Sequence, residues 1–507
     1  MGKQFIKKFL FWTILLSLFL PAIQKSTEFI NIKPLKGVFE LRDEKKFSWK
    51  EFFAGSFQQP FENGLNDHLG FRNWFIRLNN QIDYSLLSTA HVDNVIVGKD
   101  NYLFEGSYID SYLGKDFVGK DVIDDQLFKI KFLQDTLKKK NIDLIFVIAP
   151  GKAKFLSEFL PNEYRSQSKS LTNYDYYTQQ AKKLNVNLLD FENYFEKMKD
   201  TASYPLYAKW SIHWSVYGYT LAADSLCRYI EKLHHIDMPD IVWAGMEIPD
   251  TIRNADNDIG LGMNLIWKAP FLATGYPILH YENADKKRPR VLTIADSYYN
   301  GIWDCGVPDN LFQQENYRYY NKELYQGQID AGKPVALPEQ RSEIEKNEVI
   351  ILMATERNLC LFPYGFVDDV YDLYAPLDTS NVCEQRDFEK FYKLRTERIQ
   401  WWENNLWNTK RLLKIEIQKA EEHKITLAEM VHREAVWFFG NECQTSLKKN
   451  RILELEQNIR KTYPLIKSEL EKSRRSGINI DKVIFKDAFT TYYSELRDSL
   501  CAPPNNK

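Results

Sequence analysis

The sequence is poor in the residues that build common metal and redox sites. Cysteine occurs six times in 507 residues, without any C-x-x-C spacing, which argues against a zinc ribbon or a dithiol redox motif. The eight histidines fall in no metal-ligand cluster, so no metal and no other cofactor is implied. There is no P-loop and no G-x-G-x-x-G turn, the usual phosphate cradles. Net charge is almost absent as well. With 67 Lys+Arg against 69 Asp+Glu, no global field points to nucleic acid or an anionic surface, and binding must be local. No repeat or low-complexity linker divides the chain. From Gln385 to Phe439 both glycine and proline are missing, which leaves nothing to interrupt a helix there.

What is present begins with length. A chain of 507 residues exceeds the ~250–300 at which single cores stop growing, so two or more units are expected, and 44% hydrophobic residues suffice to fill them. Residues 1–24 place Lys3, Lys7 and Lys8 ahead of an apolar run from Phe9 to Ile23, the pattern of an export signal or membrane anchor. The run is shorter than a comfortable span of ~17–25 residues, which favours cleavage, while the lack of a clean small-x-small site favours an anchor. Lysines before the run predict a cytoplasmic N-terminus and a periplasmic or otherwise extracytoplasmic remainder, with membrane contact through this segment. Residues 25–90 form a lead-in whose Trp74, Phe75, Leu78, Ile82 and Leu86 recur at helical spacing and predict an amphipathic helix packed on the domain downstream.

The middle of the chain alternates short apolar strands with helical stretches. Val92–Val97 and Tyr102–Phe104 around Gly98–Asn101 predict a hairpin. Strands are predicted at 142–148, 186–190, 291–294 and 349–353, with helices at 125–140, 174–184 and 219–233 between them. This is the pattern of an α/β fold with a parallel sheet flanked by helices, whose ligands gather beyond the carboxyl ends of the strands. Pro150-Gly151-Lys152, Asp190, Asp296-Ser297 and Thr355 to Asn358 all fall at such ends. Beyond Gln385 the apolar stripe of Phe391, Leu394, Trp402, Leu406 and Leu413, with the capping box Thr426 to Glu429, predicts a helical C-terminal region over 385–507.

Two stretches pair chemically. In Arg290–Asn300, RVLTIADSYYN, a buried strand breaks into a turn that exposes Ser297, as strand-to-turn nucleophiles are exposed. Upstream, Lys209–Ser215 carries His213 in a polar and aromatic setting, and a hydroxyl nucleophile needs such a base within hydrogen-bond reach. The aromatics beside these motifs, Trp210, Trp214, Tyr298, Tyr299 and Trp303, are candidates to stack on sugar rings, with core packing the alternative.

The runs FENGLNDHLGFR, VDNVIVGKDNYLF, FVIAPGK, S-I-H-W and VLTIADSYY, in that order, resemble the AlgX/AlgJ-like group of SGNH-hydrolase-like proteins, related to the so-called DHHW proteins. The resemblance covers roughly residues 55 to 375, predicting an SGNH-hydrolase-like domain over 91–384. It implies exopolysaccharide O-acetylation with Ser297 as nucleophile and His213 as base. The family's orienting aspartate falls on Ser211, a departure that removes the carboxylate from the far ring nitrogen. Loss of that carboxylate's charge costs roughly 10⁴-fold in a well-studied triad enzyme. Asp256, Asp258, Asp190 and Asp296 are the substitute acids by proximity in the family's fold. The Ser297 N–H, with Thr355, Glu356, Arg357 or Asn358 and Tyr298 nearby, is the place for an oxyanion or substrate contact. The implied partners are a polysaccharide and a membrane-bound acetyl donor. Three readings stand: a polysaccharide O-acetyltransferase, an inactive glycan-binding or scaffold protein marked by Ser211, and a carbohydrate acetylesterase.

Overall fold

The computed structural model describes residues 2–37, 46–253, 256–267, 272–326, 332–335, 339–375, 381–408, 410–443, 447–476, 478 and 480–501. A mixed sheet organises the centre. Its strands are β1 (Asp143–Ala149), β2 (Leu188–Asp190), β3 (Arg290–Ala295), β4 (Gln314–Tyr319), β5 (Glu323–Tyr325), β6 (Lys333–Pro334) and β7 (Val349–Thr355). Across the sheet they run β6-β5-β4-β3-β7-β1-β2. The five strands from β4 to β2 are parallel, while β5 and β6 are added antiparallel.

Every residue of β1 and β7 is buried, as expected of central parallel strands covered on both faces. Alternate residues feed two cores. Ile145, Val147, Val291, Ile351 and Met353 pack with the helices Val216–His234 and Phe191–Met198, whereas Leu144, Phe146, Leu292, Ile350 and Leu352 pack with Lys120–Lys138, Asn173–Lys183 and Phe366–Tyr374. In register, Thr355 lies beside Ala149 and Leu352 beside Ile294. The carboxyl ends of β1, β3 and β7 therefore open on the same rim of the sheet, which is where the site lies.

The sequence-derived elements appear within a few residues of their expected bounds, and additional strands join them. Strand β4 and the strand Asp240–Glu247 carry no clean alternation of burial, and β5 and β6 span only three and two residues, so periodicity passed them over; Tyr276–Glu282, paired with Asp240–Glu247, does alternate, but beyond Tyr276 only between half-buried and exposed positions. The helix Arg72–Leu87 is correctly expected but its orientation is reversed. Trp74, Phe75, Ile82 and Leu86 are exposed, while Asn80, Gln81 and Tyr84 are buried. Polar contacts hold it: Asn80 Nδ2 donates to the Met263 carbonyl at 2.9 Å, and Tyr84 OH donates to Asn101 Oδ1 at 2.8 Å. Near the N-terminus, Phe5–Thr27 is long and apolar enough to cross a membrane and is not buried. Counting residues on both sides of the Phe9–Ile23 run lengthens it beyond the sequence estimate.

Helices from Asn381 to Cys501 follow the sheet, with small cores around Leu406, Val431 and Phe439 and around Ile452, Phe485 and Phe489. The expected cap is made, since the Glu429 N–H donates to Thr426 Oγ1 at 3.1 Å. In the central sheet, Ile351→Ala removes a side chain with no exposure. It is expected to destabilise the sheet by about 2–5 kcal/mol, read as a lowered midpoint of the corresponding urea transition.

Candidate active site

Ser297 sits two residues past Ala295, the last residue of β3, in a tight turn that leads into the short helix Tyr299–Asp304. Asp296 makes that turn rigid. Its Oδ1 accepts the Tyr298 N–H at 3.1 Å, and its Oδ2 accepts from Thr355 N at 2.8 Å, Thr355 Oγ1 at 2.6 Å and Asn358 Nδ2 at 2.7 Å. Asp296 is fully buried and so does not face the pocket. Its carboxylate ties the serine turn to the end of β7.

His213 approaches from the segment before the helix Val216–His234. Its Nε2 lies 2.8 Å from Ser297 Oγ, and its Nδ1 lies 2.6 Å from Asp258 Oδ2. A carboxylate at that distance accepts a hydrogen bond from Nδ1–H and so keeps the proton on Nδ1, which leaves Nε2 as the acceptor for the serine hydroxyl. The other oxygen, Asp258 Oδ1, accepts the N–H groups of Ile212 at 2.9 Å and Ile259 at 2.6 Å, so the acid is fixed at both ends. Ser211 plays another part, since its Oγ accepts the His213 N–H at 3.0 Å and shapes the turn.

Of the four acids proposed as substitutes, Asp258 is the one that bonds the His213 ring. Asp256 accepts the Val216 N–H at 3.1 Å, and burial pushes its carboxyl up to about 6. Asp190 caps the helix Phe191–Met198 through Asn193 N at 3.0 Å and accepts from Tyr174 OH at 3.0 Å. The nearest thing to a sequence signal for Asp258 is the glycine two residues on. A Cβ at Gly260 would meet Asn257 Oδ1 at 2.0 Å and Trp210 Cε3 at 2.3 Å, and its N–H donates to the Trp210 carbonyl at 3.1 Å. That close approach brings Asp258 beside the histidine segment.

A cavity of about 540 Å³ opens over the pair, within the ~300–1,000 Å³ of ligand pockets. His213, Ser297, Arg357 and Asn358 line it, joined by Glu105, Tyr108, Tyr320, Lys322, Trp402 and Phe438, which the sequence alone does not single out for the site. Thr355 and Glu356 are corrected from substrate side to interior. Thr355 is consumed by Asp296, and Glu356 is fully buried with Oε1 accepting from Ser111 Oγ at 3.0 Å. The Asn358 amide is committed too, donating to Asp296 and accepting from Arg357 Nη1 at 2.7 Å. That leaves Arg357, with Lys322, as the cations in the pocket wall. Burial lowers the Arg357 pKa, but Cys360, Tyr108, Glu105 and Tyr320 outweigh burial and raise it overall.

The aromatics beside the motifs are corrected likewise. Trp214, Tyr298 and Tyr299 are at most 1% exposed and Trp210 is 6% exposed, so they are packing groups; Trp303 lies beside Tyr317 at 5.6 Å between centroids. Tyr298 still serves the site from beneath, with OH donating to the Ile212 carbonyl at 2.7 Å and its ring 4.9 Å from the His213 ring.

Below the histidine segment lies a buried cation that the sequence offered only as part of a strand-end loop. Lys152 Nζ donates to the carbonyls of Ala208 at 2.9 Å, Lys209 at 2.9 Å and Ser211 at 2.5 Å. Burial pushes its ammonium down to about 7, against the pull of Asp258. Three accepting carbonyls require all three N–H groups, and hence the charged form.

Comparison with known proteins agrees on the central region. Residues 95–240 match the family described as "SGNH hydrolase-like domain, acetyltransferase AlgX". Over 151 residues, 30% of this chain, the sequence is 25% identical to the "Probable alginate O-acetylase AlgJ" of Pseudomonas putida, and the match spans 37% of that protein's length. The solved O-acetyltransferase domain of Pseudomonas putida AlgJ is 18% identical with TM-score 0.36, covering 53% of this chain and 92% of that one. Pseudomonas aeruginosa AlgX is 12% identical with TM-score 0.35, covering 54% and 67%.

Two outcomes follow from the geometry. Asp258→Asn keeps the shape but removes the charge opposite Nδ1, and is expected to lower turnover of a p-nitrophenyl ester by about 10⁴-fold, measured at saturating substrate. Lys152→Met removes the donor to the Ala208 and Ser211 carbonyls, while the Lys209 carbonyl keeps the Leu103 N–H at 2.9 Å. At about 1–3 kcal/mol for each orphaned group, a drop of at least about 2 kcal/mol is expected in chemical unfolding.

Proposed function

Because the central region carries an AlgX/AlgJ-like SGNH domain, we propose that this chain is an extracytoplasmic O-acetyltransferase that modifies a polysaccharide through an acyl-enzyme on Ser297. The observation that carries the reading is the chain of contacts from Ser297 Oγ through His213 to Asp258, 2.8 Å and 2.6 Å long. Ser297 Oγ attacks the carbonyl carbon of an acetyl donor while His213 Nε2 takes the hydroxyl proton. The tetrahedral oxyanion is met by the Ser297 N–H and by Arg357. Collapse expels the donor's leaving group, which receives the proton from His213. A sugar hydroxyl then enters, gives its proton to Nε2 and attacks the acetyl carbon, and the serine departs with the proton restored.

The scaffold reading drew on the missing acid at Ser211, and the Asp258 contact favours catalysis over it. An acetylesterase would use the same acyl-enzyme with water in place of the sugar. The apolar Phe5–Thr27 helix supports export or anchoring, which would bring the domain to a membrane partner that supplies acetyl groups. We further assign 1–24 to the signal or anchor, 25–90 to the lead-in, 91–384 to the acyl-transfer domain and 385–507 to a helical region packed beside it.

The test is acetyl release from p-nitrophenyl acetate by the protein lacking residues 1–24, followed by transfer to deacetylated alginate. Turnover is expected, with Ser297→Ala and His213→Ala each falling to the uncatalysed rate. Turnover that survives both substitutions, or none at all with either acceptor, would remove the reading.

A further inference from the structure

The pocket has a wall that does not come from the sheet. Trp402, from the helix Asn381–Asn408, and Phe438, from the helix Leu427–Cys443, line the same cavity as Ser297 and His213. Their rings stack on one another, with centroids 4.6 Å apart and planes 17° apart. Cores formed by Ile399, Leu406, Val431, Ala435 and Phe439 hold the two helices together beneath them. The pair is therefore held from its own side.

The remaining lining includes the polar Glu105, Lys322 and Arg357 beside the serine and histidine, with Ile212 and Leu361 as its aliphatic part. A small acyl ester needs only the carbonyl-facing groups. An apolar aromatic surface across from hydrogen-bonding groups fits a ligand with one apolar face and a rim of hydroxyls, which is the shape of a pyranose ring. Burying such a face removes apolar C–H surface from water while the hydroxyls keep polar partners. The same surface occupies space from which water would reach the acyl carbon.

We infer that Trp402 and Phe438 form the acceptor subsite, holding a sugar ring of a glycan chain over acetylated Ser297 and excluding water from it. The C-terminal helices thus carry a specificity-determining part of the site, and the aromatics that meet the glycan lie outside both stretches that carry the serine and the histidine. The inference rests on the acyl-transfer reading, but its binding arm can be measured without turnover.

Isothermal titration with the Ser297→Ala protein, which cannot form the acyl-enzyme, uses cellohexaose and hexamannuronate as neutral and anionic probes. At least one is expected to bind, and Trp402→Ala and Phe438→Ala in that background to weaken it at least tenfold. Trp407→Ala, on the same helix and 42% exposed outside the pocket lining, serves as the fold control and is expected to keep the affinity. With Ser297 intact and p-nitrophenyl acetate as donor, the ratio of transfer to hydrolysis is expected to fall at least tenfold in Trp402→Ala. Binding that ignores both aromatic substitutions, or binding of neither probe, overturns the subsite. Absent turnover alongside aromatic-dependent binding removes the acyl-transfer reading and leaves the glycan site standing.

Discussion

The contact on which the site depends is the one between Asp258 and the histidine segment. A single carboxylate meets His213 Nδ1 with one oxygen and the N–H groups of Ile212 and Ile259 with the other. The two peptide contacts immobilise the acid, and the acid then fixes the ring, so orientation and tautomer are set together. Nothing in the local sequence around His213 could do this, because Ser211 is turned back on the His213 backbone. The close approach of Gly260 to Trp210 brings the two segments near enough for that contact. A side chain at 260 would push them apart.

A second carboxylate does for the serine what Asp258 does for the histidine. Asp296 collects donors from the turn that follows it and from the end of β7. Because β3 and β7 are paired in register, that carboxylate sits where both strands end. Beneath this layer, Gly151 N–H donates to Glu192 Oε2 at 2.8 Å, and a Cβ at Gly151 would meet Glu356 Oε2 at 2.3 Å. Burial pushes Glu192 up to about 7 and raises Glu356 as well. With Lys152 under the histidine segment, the site stands on buried polar groups whose low-dielectric contacts hold the backbone firmly.

Much of this architecture was legible because parallel strands buried on both faces leave continuous apolar runs. Val349–Met353 and Ile142–Ile148 gave themselves away in that manner, and the serine and histidine were visible as a strand-end turn and a polar segment with aromatic neighbours. The contact-forming acid was only one of several, because a helix-initial Asp258 looks the same in sequence whether it caps a turn or holds an imidazole. Burial of the motif aromatics was equally silent: a Tyr next to a nucleophile can face a ligand or fill a core, and Tyr298 does the latter. The reversed helix Arg72–Leu87 shows the limit of periodicity, which locates an apolar stripe without saying what covers it. Trp402 was legible as part of a stripe, but its place in the pocket depends on how distant helices pack.

Moving the orienting acid from two residues before the histidine to a separate segment changes how the arrangement is maintained. An aspartate at 211 would travel with His213 whenever that turn moved, so their relation would survive local loosening. Asp258 belongs to another stretch, and its geometry holds only while the Lys209–Ser215 segment, the Asp258–Gly262 turn and the serine turn are all docked. Lys152 therefore has a consequence beyond stability. By bonding the carbonyls of Ala208, Lys209 and Ser211 from below, it holds the histidine segment at the height where Asp258 and Ser297 can reach opposite nitrogens of one ring. The distant acid and the buried lysine are two halves of one physical solution, the first supplying charge where local sequence has none and the second supplying the rigidity that a long-range contact needs.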